Sequence, residues 1–122
     1  MTALTGREAS TVANCESLLE RLKSVIEEEI TALEQHGTVQ PGQFSERKNQ
    51  LLRELLIAQR TCNSTRVLQE LAPKSREVQL HLSRNQRLLK AHIDAVKEVS
   101  AIIVDSIRQG DSDGTYSRSQ CG

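Results

Sequence analysis

The chain has 122 residues, with 16 basic and 16 acidic side chains, one Phe, one Tyr and no Trp. This length allows one domain of ordinary size, and so few aromatic rings exclude a rounded core built on large side chains. Leu, Ile, Val and Ala must fill the interior instead, as they do in the seams between long helices.

The first predicted element is a helix over residues 8–36. Apolar side chains recur at steps of three and four from Val12 to Leu33, which is helical periodicity, and Gly37 is a plausible stop. Residues 1–36 carry seven acidic and three basic side chains, whereas residues 43–109 carry twelve basic and seven acidic ones. We therefore expect an acidic first helix to lie against basic later helices, each exposed ion pair contributing about 0–1 kcal/mol.

The second helix is expected over residues 43–71. Its apolar positions continue at helical spacing from Phe44 to Leu71. Residues 62–65 are the weakest stretch, because Asn, Ser and Thr bond their own backbone and favour turns, and a fray or kink is expected there. Pro73 fits the first turn of a helix better than an interior, so we expect it to separate the second helix from the third.

The third helix is expected over residues 74–109, with Gly110 as its stop. Its apolar positions have a mean spacing of about 3.5 residues, typical of a coiled-coil seam. Asn85 occupies one of these positions, and we interpret it as a polar residue that fixes helix register. Residues 110–122 are too polar to bury themselves and are predicted to be a flexible tail. The predicted fold is all-α: an elongated antiparallel three-helix coiled-coil bundle over residues 1–109, with a flexible C-terminal tail.

Patterns that carry chemistry are missing from the sequence. His36, His81 and His92 form neither an HExxH motif nor a repeated Glu-x-x-His pair, and the glycines form no phosphate-binding loop. A basic run in the later helices could mark a nucleic-acid patch, but the balanced total charge and the scarcity of aromatic rings oppose that interpretation. We expect no catalytic residues, no cofactor, no metal site and no nucleic-acid partner.

The cysteines and the apolar runs bear on location. Cys15, Cys62 and Cys121 are odd in number and lack CxxC spacing, which favours a reducing compartment. The first residues do not resemble a signal peptide, and no run approaches the roughly 18 apolar residues of a membrane span. We expect a cytoplasmic protein that is not inserted in a membrane.

The end of the third helix is apolar around more of its circumference than a bundle helix requires. Between Ile93 and Ile107 the apolar arc covers roughly 200°, against about 100° for a core-facing stripe. One interpretation is that all these residues are core, in one bundle or in a homodimer. The other is a surface that accepts a partner's amphipathic helix. The candidate client-binding residues are Val96, Val99, Ile102, Ile103, Val104 and Ile107.

Three segments resemble the FlgN-type flagellar export chaperones of type III secretion. Residues 46–55, Glu-Arg-Lys-Asn-Gln-Leu-Leu-Arg-Glu-Leu, are similar to the family's Lys-x-x-Leu-Leu pattern early in its second helix. Residues 83–89, Ser-Arg-Asn-Gln-Arg-Leu-Leu, resemble its Asn-rich segment followed by a Leu pair. Residues 114–122 resemble its tail, in which Thr-Tyr is followed by Gly. Together with the length and the three-helix layout, the likeness covers nearly the whole chain.

The resemblance implies a chaperone of flagellum biogenesis. Family members bind the hook–filament junction (hook-associated) proteins in the cytoplasm and deliver them to the flagellar export gate. Carried over to this sequence, client binding would fall on the apolar end of the third helix, and gate docking on Tyr116. The alternative is a structural, self-associating coiled-coil protein or a regulator of the export apparatus.

Overall fold

The computed structural model describes residues 3–36 and 42–121, without the side chains of His36 and of residues 112–121. It contains three helices, α1 (Gly6–His36), α2 (Ser45–Thr61) and α3 (Thr65–Cys121). The described ranges contain no strand. The all-α class and the three-helix bundle are therefore confirmed, whereas the coiled-coil seam remains a prediction.

α1 begins with a reciprocal cap. The Thr5 hydroxyl accepts a hydrogen bond from the backbone N–H of Glu8 at 3.1 Å, and the Glu8 carboxylate accepts one from the backbone N–H of Thr5 at 3.0 Å. This Thr-x-x-Glu capping box satisfies two N–H groups that the first helical turn leaves without intrahelical partners. The helix consequently starts at Gly6, two residues before the predicted start.

The boundary between α2 and α3 lies at residues 62–64, not at Pro73. Ser64 caps α3, because its hydroxyl accepts the backbone N–H of Val67 at 3.2 Å. The predicted second helix over residues 43–71 is thus divided at its weakest stretch, and Pro73 lies inside α3. The cap at Ser64 and the packing of Leu71 and Val78 in the core together offset the cost of the interior proline.

α3 also continues past its predicted stop. The helix runs through Gly110 to Cys121, so Gly110 does not end it. Glycine lowers helix preference by about 1 kcal/mol relative to Ala, which weakens a helix without terminating it. The one described glycine with a positive φ is Gly42, at +84°, in the turn before α2.

Two compact units divide the chain, Met1–Leu88 and Leu89–Gly122. We call them the N-terminal unit and the C-terminal unit. Among the residues whose side chains the structure describes, every buried one belongs to the N-terminal unit. The hydrophobic core consists of Val12, Cys15, Leu18, Leu19, Leu22, Val25, Ile26, Ile30, Phe44, Leu51, Ala58, Val67, Leu71 and Val78.

Polar contacts give the order of the helices within the N-terminal unit. α2 runs in the opposite direction to α1, because Arg7 contacts Thr61 at the end of α2 and Glu28 contacts Arg47 near its start. α3 runs in the same direction as α1, because Glu8 pairs with Arg66 and Glu34 pairs with Arg84 further along both helices. The two short connections therefore reverse the chain direction twice.

Membrane insertion receives no support from the helices. Over the part of the chain that the structure describes, none of the helices combines the length and the apolar character that a membrane span requires.

Candidate protein-binding site

The acidic residues of α1 are largely engaged inside the N-terminal unit. Five of them pair with a Lys or Arg of α2 or α3, as the uneven charge distribution predicted: Glu8, Glu20, Glu28, Glu29 and Glu34. Arg47 donates two hydrogen bonds to the Glu28 carboxylate, at 2.7 and 3.4 Å, and thereby lowers its pKa. A hydrogen bond from Lys74 likewise lowers the pKa of Glu20. These acids are thus occupied in holding α1 against its neighbours.

A buried polar cluster joins all three helices. Asn85 has no exposed surface, and its side-chain amide donates a hydrogen bond to Glu29 at 2.7 Å. The Lys48 ammonium donates to the same Glu29 oxygen at 2.6 Å and to the Asn85 side-chain carbonyl at 3.0 Å. A buried charge is tolerated when it is paired and hydrogen-bonded, as Glu29 is here. The predicted position of Asn85 between helices is confirmed, and its effect on register remains a prediction.

A second polar cluster ties the start of α1 to the start of α3. The second oxygen of the Glu8 carboxylate, which takes no part in the cap of α1, accepts a hydrogen bond from the Ser64 hydroxyl at 2.7 Å and contacts Arg66 at 3.2 Å. These contacts and the Thr5 backbone N–H lower the pKa of Glu8 to about 2. Arg7 donates to the backbone carbonyl of Thr61 at 2.9 Å, at the end of α2. Both clusters serve the packing of the helices.

The candidates for chemistry are dispersed. His81 contacts the backbone carbonyl of Glu77 and the carboxylate of Glu27, and the side chain of His36 lies outside the described residues. Burial raises the pKa of the Cys15 thiol, which opposes formation of a reactive thiolate. Among the described side chains, no three His, Cys, Asp or Glu residues are grouped as metal ligands would be.

The predicted client-binding residues lie in the C-terminal unit and are exposed. Their exposed fractions run from 44% for Val104 to 58% for Ile102, and Ile93 at the start of the stretch is 50% exposed. We call this surface the apolar stripe; its residues are Ile93, Val96, Val99, Ile102, Ile103, Val104 and Ile107. All seven are β-branched, so their side chains are stiff and lose little conformational entropy when they become packed.

Three acidic residues of the C-terminal unit lie opposite the centre of the apolar stripe. At about 100° per residue, Asp94, Glu98 and Asp105 fall together on the far side of the helix from Ile103. Lys97 and Arg108 border one edge of the stripe, beside Val104, and Glu98 borders the other edge, beside Ile102. The stripe is therefore a large apolar surface with basic neighbours on one edge and acidic neighbours on the other.

The side chain of Tyr116, the candidate for gate docking, lies outside the described residues. Its backbone belongs to α3. Its docking role remains a prediction.

A second apolar surface, which the sequence analysis missed, lies in the N-terminal unit. Leu52, Leu55 and Leu56 of α2 and Leu68 and Leu71 of α3 line a groove of about 250 Å³, with Leu19 of α1 at its floor. We call it the leucine groove. Leu68 continues the apolar spacing of the predicted second helix, yet it is 44% exposed, and Leu52 and Leu56 are 40% and 54% exposed. The paired leucines at 51–52 and 55–56 were the available signal, because they widen the apolar arc of α2 beyond what one neighbour covers.

Comparison with known proteins adds no relative. The sequence matches no protein-family model, and no curated protein or solved structure is significantly similar to it.

Proposed function

We propose that this chain is a cytoplasmic chaperone that acts by binding alone, without catalysis. Its client surface is the apolar stripe of α3, and its clients are hook–filament junction proteins that it delivers to the flagellar export gate. The client would supply an amphipathic helix whose apolar face covers the stripe.

The exposure of the apolar stripe is the observation that carries the proposal. Large apolar patches on protein surfaces usually mark interaction sites, and this one occupies four turns of a helix. Burying such a surface contributes about 25 cal/mol per Å², against the cost of ordering the client. The flagellar client follows from the resemblance of residues 46–55, 83–89 and 114–122 to the FlgN-type chaperones.

Coexpression with the hook–filament junction proteins tests the client surface. The full chain should give a stoichiometric complex, and Ile103→Asp should weaken it more than about 100-fold, because a charge would be buried without a partner. Ala101→Asp is the matched control, since Ala101 lies in the same stretch of α3 but on the opposite side of the helix from Ile103. This variant should leave the complex intact. Equal binding by the Ile103→Asp chain would refute this surface.

Gate docking by Tyr116 has a separate test. Tyr116→Ala should leave the client complex unchanged and lower export of the client in cells. Tyr116→Phe, which keeps the ring, separates the contribution of the ring from that of the hydroxyl. Export at the normal rate with Tyr116→Ala would remove the docking role without affecting the client surface.

The second candidate function is a self-associating structural coiled coil. Exposed β-branched residues at coiled-coil spacing favour it, because two copies could cover each other's stripes. Sedimentation of the chain alone distinguishes the candidates. A dimer that Ile103→Asp dissociates supports self-association, and a chain that stays monomeric at high concentration supports the chaperone.

A further inference from the structure

The leucine groove lies wholly within the N-terminal unit and takes no part in the proposed client surface. Leucines of α1, α2 and α3 make up most of its lining, and Cys15, Gln59 and Ser75 complete it. Leu71 and Leu19 at its base are buried, while Leu52, Leu56 and Leu68 at its edges are exposed. A groove between two helices with this lining has the shape that a third amphipathic helix fills.

Both outer edges of the groove carry arginines. On α2, Arg60 follows the groove residue Gln59 by one position, about 100° further around the helix. On α3, Arg76 stands in the same relation to Ser75, which also lines the groove. Both are exposed, and within the described ranges neither of them forms an ion pair.

Acidic side chains near these edges face elsewhere. Glu54 lines a different groove, between α1 and α2, and Glu70 lines one between α1 and α3. The edges of the leucine groove therefore present positive charge beside apolar surface. This combination selects an occupant with negative charge beside its apolar face.

We propose that the leucine groove binds a helix of another protein whose leucine-like residues, spaced three and four apart, are flanked by Asp or Glu. A second copy of this chain fits poorly, because its exposed apolar stripe has acidic residues beside one edge only, with Lys97 and Arg108 beside the other. Lys97 and Arg108 would meet Arg60 or Arg76, and like charges across an interface weaken binding. The inference does not depend on the proposed function, and it gives the chain a second binding surface.

The test uses the full chain and a synthetic helical peptide of 18 residues labelled with fluorescein. The peptide has Leu at positions 4, 8, 11 and 15 and Glu at the flanking positions; a second peptide has Lys in place of each Glu. We expect the Glu peptide to bind at least about tenfold more tightly than the Lys peptide, and its affinity to fall as salt rises.

Two adjacent positions of α2 locate the binding. Leu56→Asp should weaken binding of the Glu peptide more than about tenfold. Leu56→Gln is a milder change, used in case the acidic variant folds poorly, and should weaken binding to a smaller degree. Ile57→Asp is the control, because Ile57 is 65% exposed and does not line the groove. Arg60→Glu combined with Arg76→Glu should reverse the preference, so that the Lys peptide binds more tightly.

Four results would overturn the inference. They are equal binding of the two peptides, equal binding by the Leu56 variants and wild type, self-association that Leu56→Asp abolishes, and cosedimentation with phosphatidylserine vesicles that requires Leu56.

Ile103→Asp distinguishes this inference from the proposed function. It should abolish the client complex and leave binding of the Glu peptide to the groove unchanged.

Discussion

Asn85 and Glu8 each connect helices that are far apart in sequence. The partners Glu29 and Asn85, like Glu8 and Ser64, are 56 residues apart. Each contact satisfies a carboxylate that the fold has largely removed from water, because Glu8 and Glu29 are only 4% and 5% exposed. Loss of a partner would leave such a carboxylate undersatisfied, which is more damaging than loss of an ordinary surface contact.

Asn85→Ala should lower the free energy of unfolding by about 2–3 kcal/mol. It removes hydrogen bonds to Glu29 and Lys48, and hydrogen bonds to charged groups contribute roughly 1.5–3 kcal/mol. Urea unfolding measures the change, with the exposed Asn49→Ala as a control expected within about 0.5 kcal/mol of wild type. A triple variant, Glu29→Leu with Lys48→Met and Asn85→Leu, should lose less than Asn85→Ala, because it leaves no buried charge without a partner.

Glu8 should make stability depend on pH in the acid range. Its folded-state pKa, about 2, lies below the ordinary value of 4.5. Its contribution is therefore complete above about pH 4.5 and is lost as pH falls from there towards 2. Glu8→Gln should lower the melting temperature at pH 7, and the difference from wild type should shrink across this window. Glu16→Gln, on the exposed side of α1, serves as the control; a Glu8→Gln difference that is constant with pH would contradict the assignment.

At the scale of helices, apolar periodicity predicted their number and the extent of α1 well. It could not locate the break between α2 and α3, because Leu68 and Leu71 continue the apolar spacing on the far side of it. The break depends on the Ser64 hydroxyl, which caps α3 locally at Val67 and bonds to Glu8 only in the packed bundle. Pro73 does not end a helix for a similar reason. A proline disfavours a helix interior locally, but the packing of Leu71 and Val78 on either side outweighs this local preference.

Replacing Pro73 should stabilise the protein. Pro73 is exposed and lies nine residues into α3, where its ring prevents one backbone hydrogen bond. Pro73→Ala should raise the free energy of unfolding by about 1–3 kcal/mol, since proline is about 3 kcal/mol less favourable than Ala in a helix interior. Thermal unfolding followed by circular dichroism measures the change. A decrease would show that the helix needs the geometry that proline imposes.

The turn before α2 depends on Gly42. Its φ of +84° disfavours every side chain with a Cβ, although an added Cβ would touch nothing within 4 Å. Gly42→Ala should therefore lower stability by about 1–2 kcal/mol through the backbone alone. Gly6→Ala is the matched control, because Gly6 also has open space around it and lies at the start of α1; it should be neutral or slightly stabilising.

For the whole molecule, burial divides the chain in a way that composition cannot show. The sequence predicted that the end of the third helix is more apolar than a bundle requires, and the apolar stripe is exposed. It did not predict the leucine groove, because whether Leu52 and Leu56 are covered depends on how α2 and α3 pack. Local spacing identifies a face of a helix, but only tertiary packing determines how much of that face remains accessible.

Truncation of the chain tests where its stability resides. Residues 1–88 contain every buried side chain among those the structure describes. A chain ending at Leu88 should unfold in urea with nearly the same midpoint and slope as the full chain, because the slope scales with the surface exposed on unfolding. A drop of several kcal/mol would show that the C-terminal unit contributes to the fold.

Vectorial synthesis on the ribosome makes the position of Asn85 matter before the chain is complete. Glu29 leaves the exit tunnel long before the amide that must hydrogen-bond to it, so a nascent chain shorter than 85 residues cannot close the junction between its helices. Throughout that interval α3 covers the core leucines of α1 only in part, and the uncovered surface is accessible to other hydrophobic surfaces in the cell. Ribosome-stalled chains ending shortly before and shortly after Asn85 emerges should therefore differ sharply in protease resistance.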